Sequence, residues 1–316
     1  MKCQVISTFV LFLFVVGCNL KDGQFSSTEI VKELELKHIS SGSGMSFFRS
    51  HYYIIGDDDS FLWKVNSDGE IINKWQVWDT AYVKNQRIAS KYKPDFEATT
   101  FATYKNDTLL IIFGSGSKSP KRDVIITFNP KTFELFQFEQ QQVFFHNLKE
   151  YFNLSEKEIN IEATAIYKDS LYLFNRHNNF IYSISTEDFF MYKKNENNIS
   201  MSMNSKHFEL PTFENDTARF SGANFIEGTS LLLFSATIEK TGNWEKDGGI
   251  AGSFIGIIDF STKKLLACLP VKTNNGDMYI GKIEGVYGKK ENGNILVNAI
   301  TDNDDGTTIW LEILVK

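Results

Sequence analysis

Five times along the chain an acidic or small residue, then a small residue, opens an apolar run, a turn and a second apolar run. The openings are Ser43-Gly44-Met45, Glu97-Ala98-Thr99, Glu162-Ala163-Thr164, Ser221-Gly222-Ala223 and Glu284-Gly285-Val286, so successive units start 54, 65, 59 and 63 residues apart. Each unit reads as up to four short strands rich in Phe, Tyr, Ile, Leu and Val, bounded by Asn, Asp, Gly and Ser turns. In the third unit residues 163–167, 170–174 and 180–185 are the strands, with a weaker fourth near 206–210. Solenoid repeats are shorter and more uniform. Units of this length suit an all-β fold, a β-propeller whose blades are four-stranded antiparallel sheets.

The last unit offers strands at 284–287, 294–299 and 307–314 and then ends without a fourth, while residues 30–39, ahead of the first unit, alternate as a half-exposed strand does. This orphan strand is expected to complete the last blade, which leaves no open sheet edge in the ring. The expectation is five blades closed by the N-terminal strand, or six if a divergent blade is hidden. Residues 30–316 then form one propeller domain. One insertion stands out at 143–154, where Phe144, Phe145, Leu148, Tyr151 and Phe152 recur at near-helical spacing and predict a helix packed outside the blades.

The amino terminus carries a different message. Lys2 precedes a mostly apolar run over 5–16, and Val15-Val16-Gly17-Cys18 follows. The run is too short for a permanent spanning helix, and the cysteine follows a small residue where a signal peptidase cuts. The stretch resembles a bacterial lipoprotein signal with its lipobox. That resemblance implies removal of residues 1–17, lipidation of Cys18 as the membrane anchor, and a tether over 18–29. The other reading is an ordinary signal peptide with an incidental Cys18. Asn19 stands where the inner-membrane retention signal of such lipoproteins has Asp, so the expected location is the cell envelope at the outer membrane.

With Cys3 removed and Cys18 acylated, Cys268 alone remains, and no disulfide can form within the mature chain. Its apolar surroundings over 264–269 suit a buried packing thiol. Removing 1–17 takes away only Lys2, leaving 32 basic residues against 39 acidic ones. Such a chain has no basic surplus to neutralise phosphates, which excludes nucleic acid as a partner. The 28 Phe, 12 Tyr and 5 Trp are enough to build a large core, which excludes a disordered chain.

In a propeller the innermost strand of each blade lines the central channel, and the loop leading into it emerges on the same face as the turn between strands two and three. The motif residues therefore ring one mouth. Three are glutamates: Glu97, Glu162 and Glu284. The matching turns carry Asp57-Asp58-Asp59, residues 118–122, Arg176-His177, Glu239-Lys240 and residues 302–305 to the same end. Glutamates converging in a narrow channel repel one another, and burial raises their pKa unless cations or donors compensate. Either a hard cation such as Ca²⁺ takes their oxygens, or basic residues such as Arg176 and Arg122 pair with them. A third reading makes each Glu a structural peg that accepts backbone amides. Lys121, Arg122, Arg176 and His177 are the candidate ligand-binding groups, since cations on a mouth hold carboxylate or phosphate without a helix terminus.

Several of these segments carry a resemblance. Asp95-Phe96-Glu97-Ala98, Ile161-Glu162-Ala163, Phe220-Ser221-Gly222-Ala223, Ile283-Glu284-Gly285-Val286 and Ile112-Phe113-Gly114-Ser115-Gly116-Ser117 with Lys121-Arg122 resemble an uncharacterised family of bacterial β-propeller lipoproteins over about residues 30–316. More distantly they are similar to the SdiA-regulated and esterase-like phytase propellers. That likeness implies glutamates facing the channel and, in some members, calcium at Glu97, Glu162 and Glu284. Ser43 and Ser221 replace Glu in two blades, so the acidic ring is incomplete.

Other motifs dissolve. Gly114-Ser115-Gly116-Ser117-Lys118 lacks P-loop spacing and leads into a strand over 123–128 where a helix is required. Residues 302–306 open like a calcium loop, but position twelve is Ile313. There is no Gly-x-Ser-x-Gly elbow and no His/Cys zinc spacing. Three function classes remain. The first is a module that binds a small anionic ligand or a protein partner at the charged mouth. The second is a calcium-assisted hydrolase, a phosphoesterase or esterase-like enzyme, whose developing charge is steadied by Lys121, Arg122 or Arg176. The third is an interaction scaffold. With no nucleophile motif and two gaps in the acidic ring, the expectation is the binding module.

Overall fold

Leu109-Leu110-Ile111-Ile112-Phe113 is apolar at every position because its strand, Asp107–Gly114, is buried on both faces. Leu109, Ile111 and Phe113 pack towards the following blade, and Leu110 and Ile112 towards the preceding one. Leu231-Leu232-Leu233-Phe234 repeats the device, with Leu231 and Leu233 on one side and Leu232 and Phe234 on the other. Strands covered on both faces lose the alternation that a half-exposed strand shows.

The structure, a computed structural model, describes residues 25–137, 141–192, 202–213, 215–240, 249–303 and 305–316. The signal sequence 1–17, Cys18, the first part of the 18–29 tether and Asp304 lie outside the described residues. Five four-stranded antiparallel sheets form the blades. Their innermost strands are Gly42–Phe48, Phe96–Tyr104, Ile161–Tyr167, Arg219–Phe225 and Lys282–Glu291. Each neighbours the next around the ring, and the fifth returns to the first. Five apolar clusters among the described residues fill the five spaces between adjacent blades, so the core is an annulus around the axis.

Blades one to four run from the innermost strand outwards. The fifth does not: its outermost strand is Thr28–Glu35, from the other end of the chain, paired antiparallel with Ile309–Val315 from Thr28 opposite Val315 to Glu35 opposite Ile309. This is the closure expected from the sequence, beginning at Thr28 rather than Ile30. The inserted helix α1 is Gln141–Phe152, whose Phe144, Phe145 and Leu148 wedge into the cluster between blades two and three. Beside it packs a second helix, α2 (Thr186–Tyr192), through Phe189; sequence patterning gave no sign of α2 because it spans only 7 residues. No described helix is long and apolar enough to cross a membrane. Cys268 is half-buried, against the cluster between blades three and four.

Candidate functional site

Each innermost strand is irregular at the same place. Register with the second strand slips between Gly42 and Gly44, Phe96 and Ala98, Ile161 and Ala163, Phe220 and Gly222, and Ile283 and Val286. In four blades the skipped residue is the first of the motif, Ser43, Glu97, Glu162 or Ser221, and in the fifth the slip takes in both Glu284 and Gly285. A bulge leaves one residue out of the ladder and re-aims its side chain. Repeated five times around an axis, it turns five side chains inwards. The small residue that follows lets neighbouring blades close up: a Cβ on Gly222 would sit 1.6 Å from the Glu284 carbonyl oxygen, and one on Gly44 3.0 Å from the backbone of Ala98 and Thr99.

The two serines spend their hydroxyls on backbone, Ser43 Oγ donating to Ser41 O at 3.0 Å and Ser221 Oγ to Ile283 O at 2.6 Å. The three glutamates converge. Glu97, Glu162 and Glu284 each bring a carboxylate oxygen within 4.8 Å of the other two, all buried. The space they enclose with Ser43 and Gly222 measures about 10 Å³, room for one water-sized particle. A second triad shares Glu97: oxygens of Asp57, Asp95 and Glu97 also lie within 4.8 Å of one another.

Four cations are threaded through these carboxylates. Arg176 Nη1 donates to Glu162 Oε1 at 3.2 Å, and its Nη2 to Glu239. Asn160 Nδ2 donates to the same Glu162 oxygen at 2.7 Å. Lys282 Nζ lies 2.6 Å from Glu284 Oε1. Lys93 Nζ pairs with Asp57 and stands 3.1 Å from Asp95 Oδ1, while Arg122 pairs with Asp95 Oδ2. Six carboxylates (Glu97, Glu162, Glu284, Asp57, Asp95, Glu239) thus face four cations, so that with all six ionised the negative charges would outnumber the cations by two. Buried Asp302 adds to the same field. Glu162 Oε2, Glu284 Oε2 and Asp57 Oδ1 are buried with no hydrogen-bond partner among the described residues.

The charge surplus shows in the titration of the groups. Burial, then repulsion from Glu162, Asp95 and Glu284, drives Glu97 well above the usual carboxylate range. Glu284 is pushed up to about 8 by burial, despite Lys282 and with Asp302 and Glu162 adding to the rise. Asp57 is pushed up to about 7, again by burial, against the pull of Lys93. Asp95 goes the other way: burial would raise it, but Lys93 and Arg122 outweigh that and hold it low. For Lys282 burial would lower the pKa, and the Glu284 carboxylate outweighs it and holds the ammonium well above its ordinary value.

The four candidate ligand groups are placed as follows. Arg122 and Arg176 stand inside the network as counter-ions. Lys121 stays on the rim, Nζ donating to Ser90 O at 2.9 Å and Lys91 O at 3.1 Å, its pKa lowered by burial and by Arg122 and Lys118. His177 is half-buried on the same end; burial and then Arg219 push its imidazole down. The loop after Gly114 runs into the strand Ile125–Phe128, and Gly306 closes a turn at φ +89°.

Over residues 38–315 the chain matches the family described as "Family of unknown function (DUF6929)". The chain belongs to this family. No curated protein matches it. Among solved structures, the chain is similar to Myxococcus xanthus glutaminyl cyclase, with 8% identity, TM-score 0.47, and 92% of this chain and 97% of that one covered. Others are the endo-arabinase of Bacteroides thetaiotaomicron (9%, TM-score 0.46, 91% and 96% covered) and a virginiamycin B lyase of Staphylococcus aureus (11%, TM-score 0.40, 90% and 99% covered). The fold of this DUF6929 protein rests on its strand pairing, not on these likenesses.

Sequence reasoning missed three cations of this end: Lys93, Lys282 and Arg219. A signal for two of them was present. Lys282 and Arg219 each stand two residues before the motif residue of their blade, where β alternation returns a side chain to the same side.

Proposed function

We propose that this protein is a ligand-binding β-propeller of the cell envelope, lipid-anchored through Cys18 at the outer membrane, whose binding site is the charged mouth of the channel. The mouth is supported from below by a divalent cation, Ca²⁺, held between Glu97, Glu162 and Glu284. The observation that carries this reading is the convergence of three buried carboxylates with partnerless oxygens in a space the size of one ion. Hard cations take such oxygen sets, and a divalent ion would displace the protons that Glu97 and Glu284 otherwise hold. When bound it supplies fixed positive charge beneath the mouth.

The size of that space also favours binding over hydrolysis. A calcium-assisted hydrolase needs room beside the ion for a scissile group and an attacking water. A volume of about 10 Å³ admits the ion alone. The ligand is therefore placed outside it, on the rim where Lys121 and His177 stand above the network cations Arg122 and Arg176, and its class is a small anion.

Calorimetric titration of the detergent-solubilised full chain with Ca²⁺ tests the cation. One bound ion per chain is expected, abolished by Glu97→Gln and by Glu162→Gln. Absence of heat, together with an unchanged melting temperature in calcium and in chelator, refutes the cation reading. Anchoring is tested separately: Cys18→Ser should abolish incorporation of labelled palmitate in cells.

A further inference from the structure

The wall of the mouth between blades three and four holds a cavity of about 90 Å³, lined by Arg176, Asp216, Thr217, Arg219, Thr237 and Glu239, with Asn215 at its exposed lip. Its charges are unequally satisfied. Arg176 is committed to Glu162 and Glu239, and Glu239 to Arg176. Arg219 has no such partner among the described residues: its Nη1 donates to the backbone carbonyls of Arg176, at 3.2 Å, and of His177. Carbonyls satisfy hydrogen bonds without cancelling a charge. Burial and the neighbouring Arg176 both lower the pKa of Arg219, and the attraction of Glu239 and Asp216 is weaker than either.

Two further donors point the same way. The buried Thr237 hydroxyl has no hydrogen-bond partner among the described residues, and neither has Arg176 Nε, on a side chain 9% exposed. Buried donors left unmade cost free energy unless a ligand or water meets them. A space of about 90 Å³ holds several waters, enough for one planar or tetrahedral oxyanion. Guanidinium groups match such oxygens in pairs.

We infer that this cavity is an oxyanion-binding subsite of the mouth, taking a carboxylate or phosphate group of the ligand, with Arg219 meeting its charge and Thr237 donating to one of its oxygens. The inference rests on the reading of the mouth as a ligand site and is independent of the axial cation. It assigns the ligand a compact carboxylate or phosphate group and gives specificity to a residue outside the acidic ring.

The test is calorimetric titration of the detergent-solubilised full chain with sodium acetate and, separately, inorganic phosphate, each with calcium and with chelator. Saturable binding of one probe is expected, and the preferred probe tells carboxylate from phosphate. Arg219→Gln should weaken it about tenfold or more, as for a lost charged hydrogen-bond partner. The isosteric Thr237→Val, which leaves the guanidinium and its carbonyl contacts in place, should weaken it by a few-fold with an unchanged melting temperature. Glu97→Gln should leave it intact while abolishing calcium binding. Saturable binding untouched by Arg219→Gln and Thr237→Val overturns the inference, as does absence of saturable binding for both probes. Loss of calcium binding alone, in any variant, bears only on the axial cation.

Discussion

Lys282 Nζ stands 2.6 Å from Glu284 Oε1 with both side chains more than nine-tenths buried, and even so Glu284 is pushed up to about 8. One ammonium at contact distance does not offset burial plus the fields of Asp302 and Glu162. The pair is therefore a member of an unbalanced network. Removing one partner of a buried pair leaves a buried charge unmatched, which costs about 3–5 kcal/mol. Lys282→Met should lose stability of that order in urea denaturation. The double variant Lys282→Met/Glu284→Gln should recover most of it. Equal losses in the single and double variants would show that the lysine acts through packing.

The raised carboxylates set the direction of pH dependence. Asp57, at about 7, and Glu284, at about 8, keep protons in the folded protein at pH values where the unfolded chain has lost them. Stability contributed by these groups is complete below the ordinary carboxylate range and is lost as pH rises through about 7 and then 8. Asp95, held low, contributes in the opposite sense and loses its share only in acid. In chelator the melting temperature should fall between pH 6 and pH 9 by roughly 5 °C, given that 1 kcal/mol moves a chain of this size by a few degrees. Calcium should flatten the curve. An equal fall with and without calcium would mean that no ion enters the ring.

Glu97, Glu162 and Glu284 were legible in the sequence as a group because each opens a repeat, and a periodic motif in a cyclic fold must converge on the axis. The five blades, the helix at Gln141–Phe152 and the closing strand were legible for the same reason, from period and pattern. What periodicity could not carry is the charge balance. Lys93 lies in the loop before blade two and meets Asp57 from blade one, a contact made only when the ring closes. The bulges were hidden too, since skipping Glu97 in the ladder changes pairing, not composition.

Gly222 tests how tightly the ring is drawn. A methyl group there would overlap the Glu284 carbonyl at 1.6 Å, backbone that cannot swing aside. Gly222→Ala should cost at least 1–3 kcal/mol, the range for overpacking. Gly249, where an added Cβ meets nothing within 4 Å, should accept alanine within about 0.5 kcal/mol. Paired urea titrations of the two variants make the measurement. Similar costs at both positions would place the strain elsewhere.

Ring closure depends on eight residues. Thr28–Glu35 covers the edge of Ile309–Val315, and Ser26 N donates to Lys316 O at 2.6 Å beside it. Without it blade five ends in a bare strand bearing buried Trp310, Leu311 and Ile313 on its neighbours' sides, an edge open to other chains. A chain lacking residues 1–35 should self-associate and unfold without a single cooperative transition, seen by sedimentation and calorimetry. A synthetic peptide spanning residues 25–37, supplied in trans, should pair with the vacant edge and restore the monomer. A truncated chain that stays monomeric and cooperative without the peptide would show that the other blades hold the ring closed unaided.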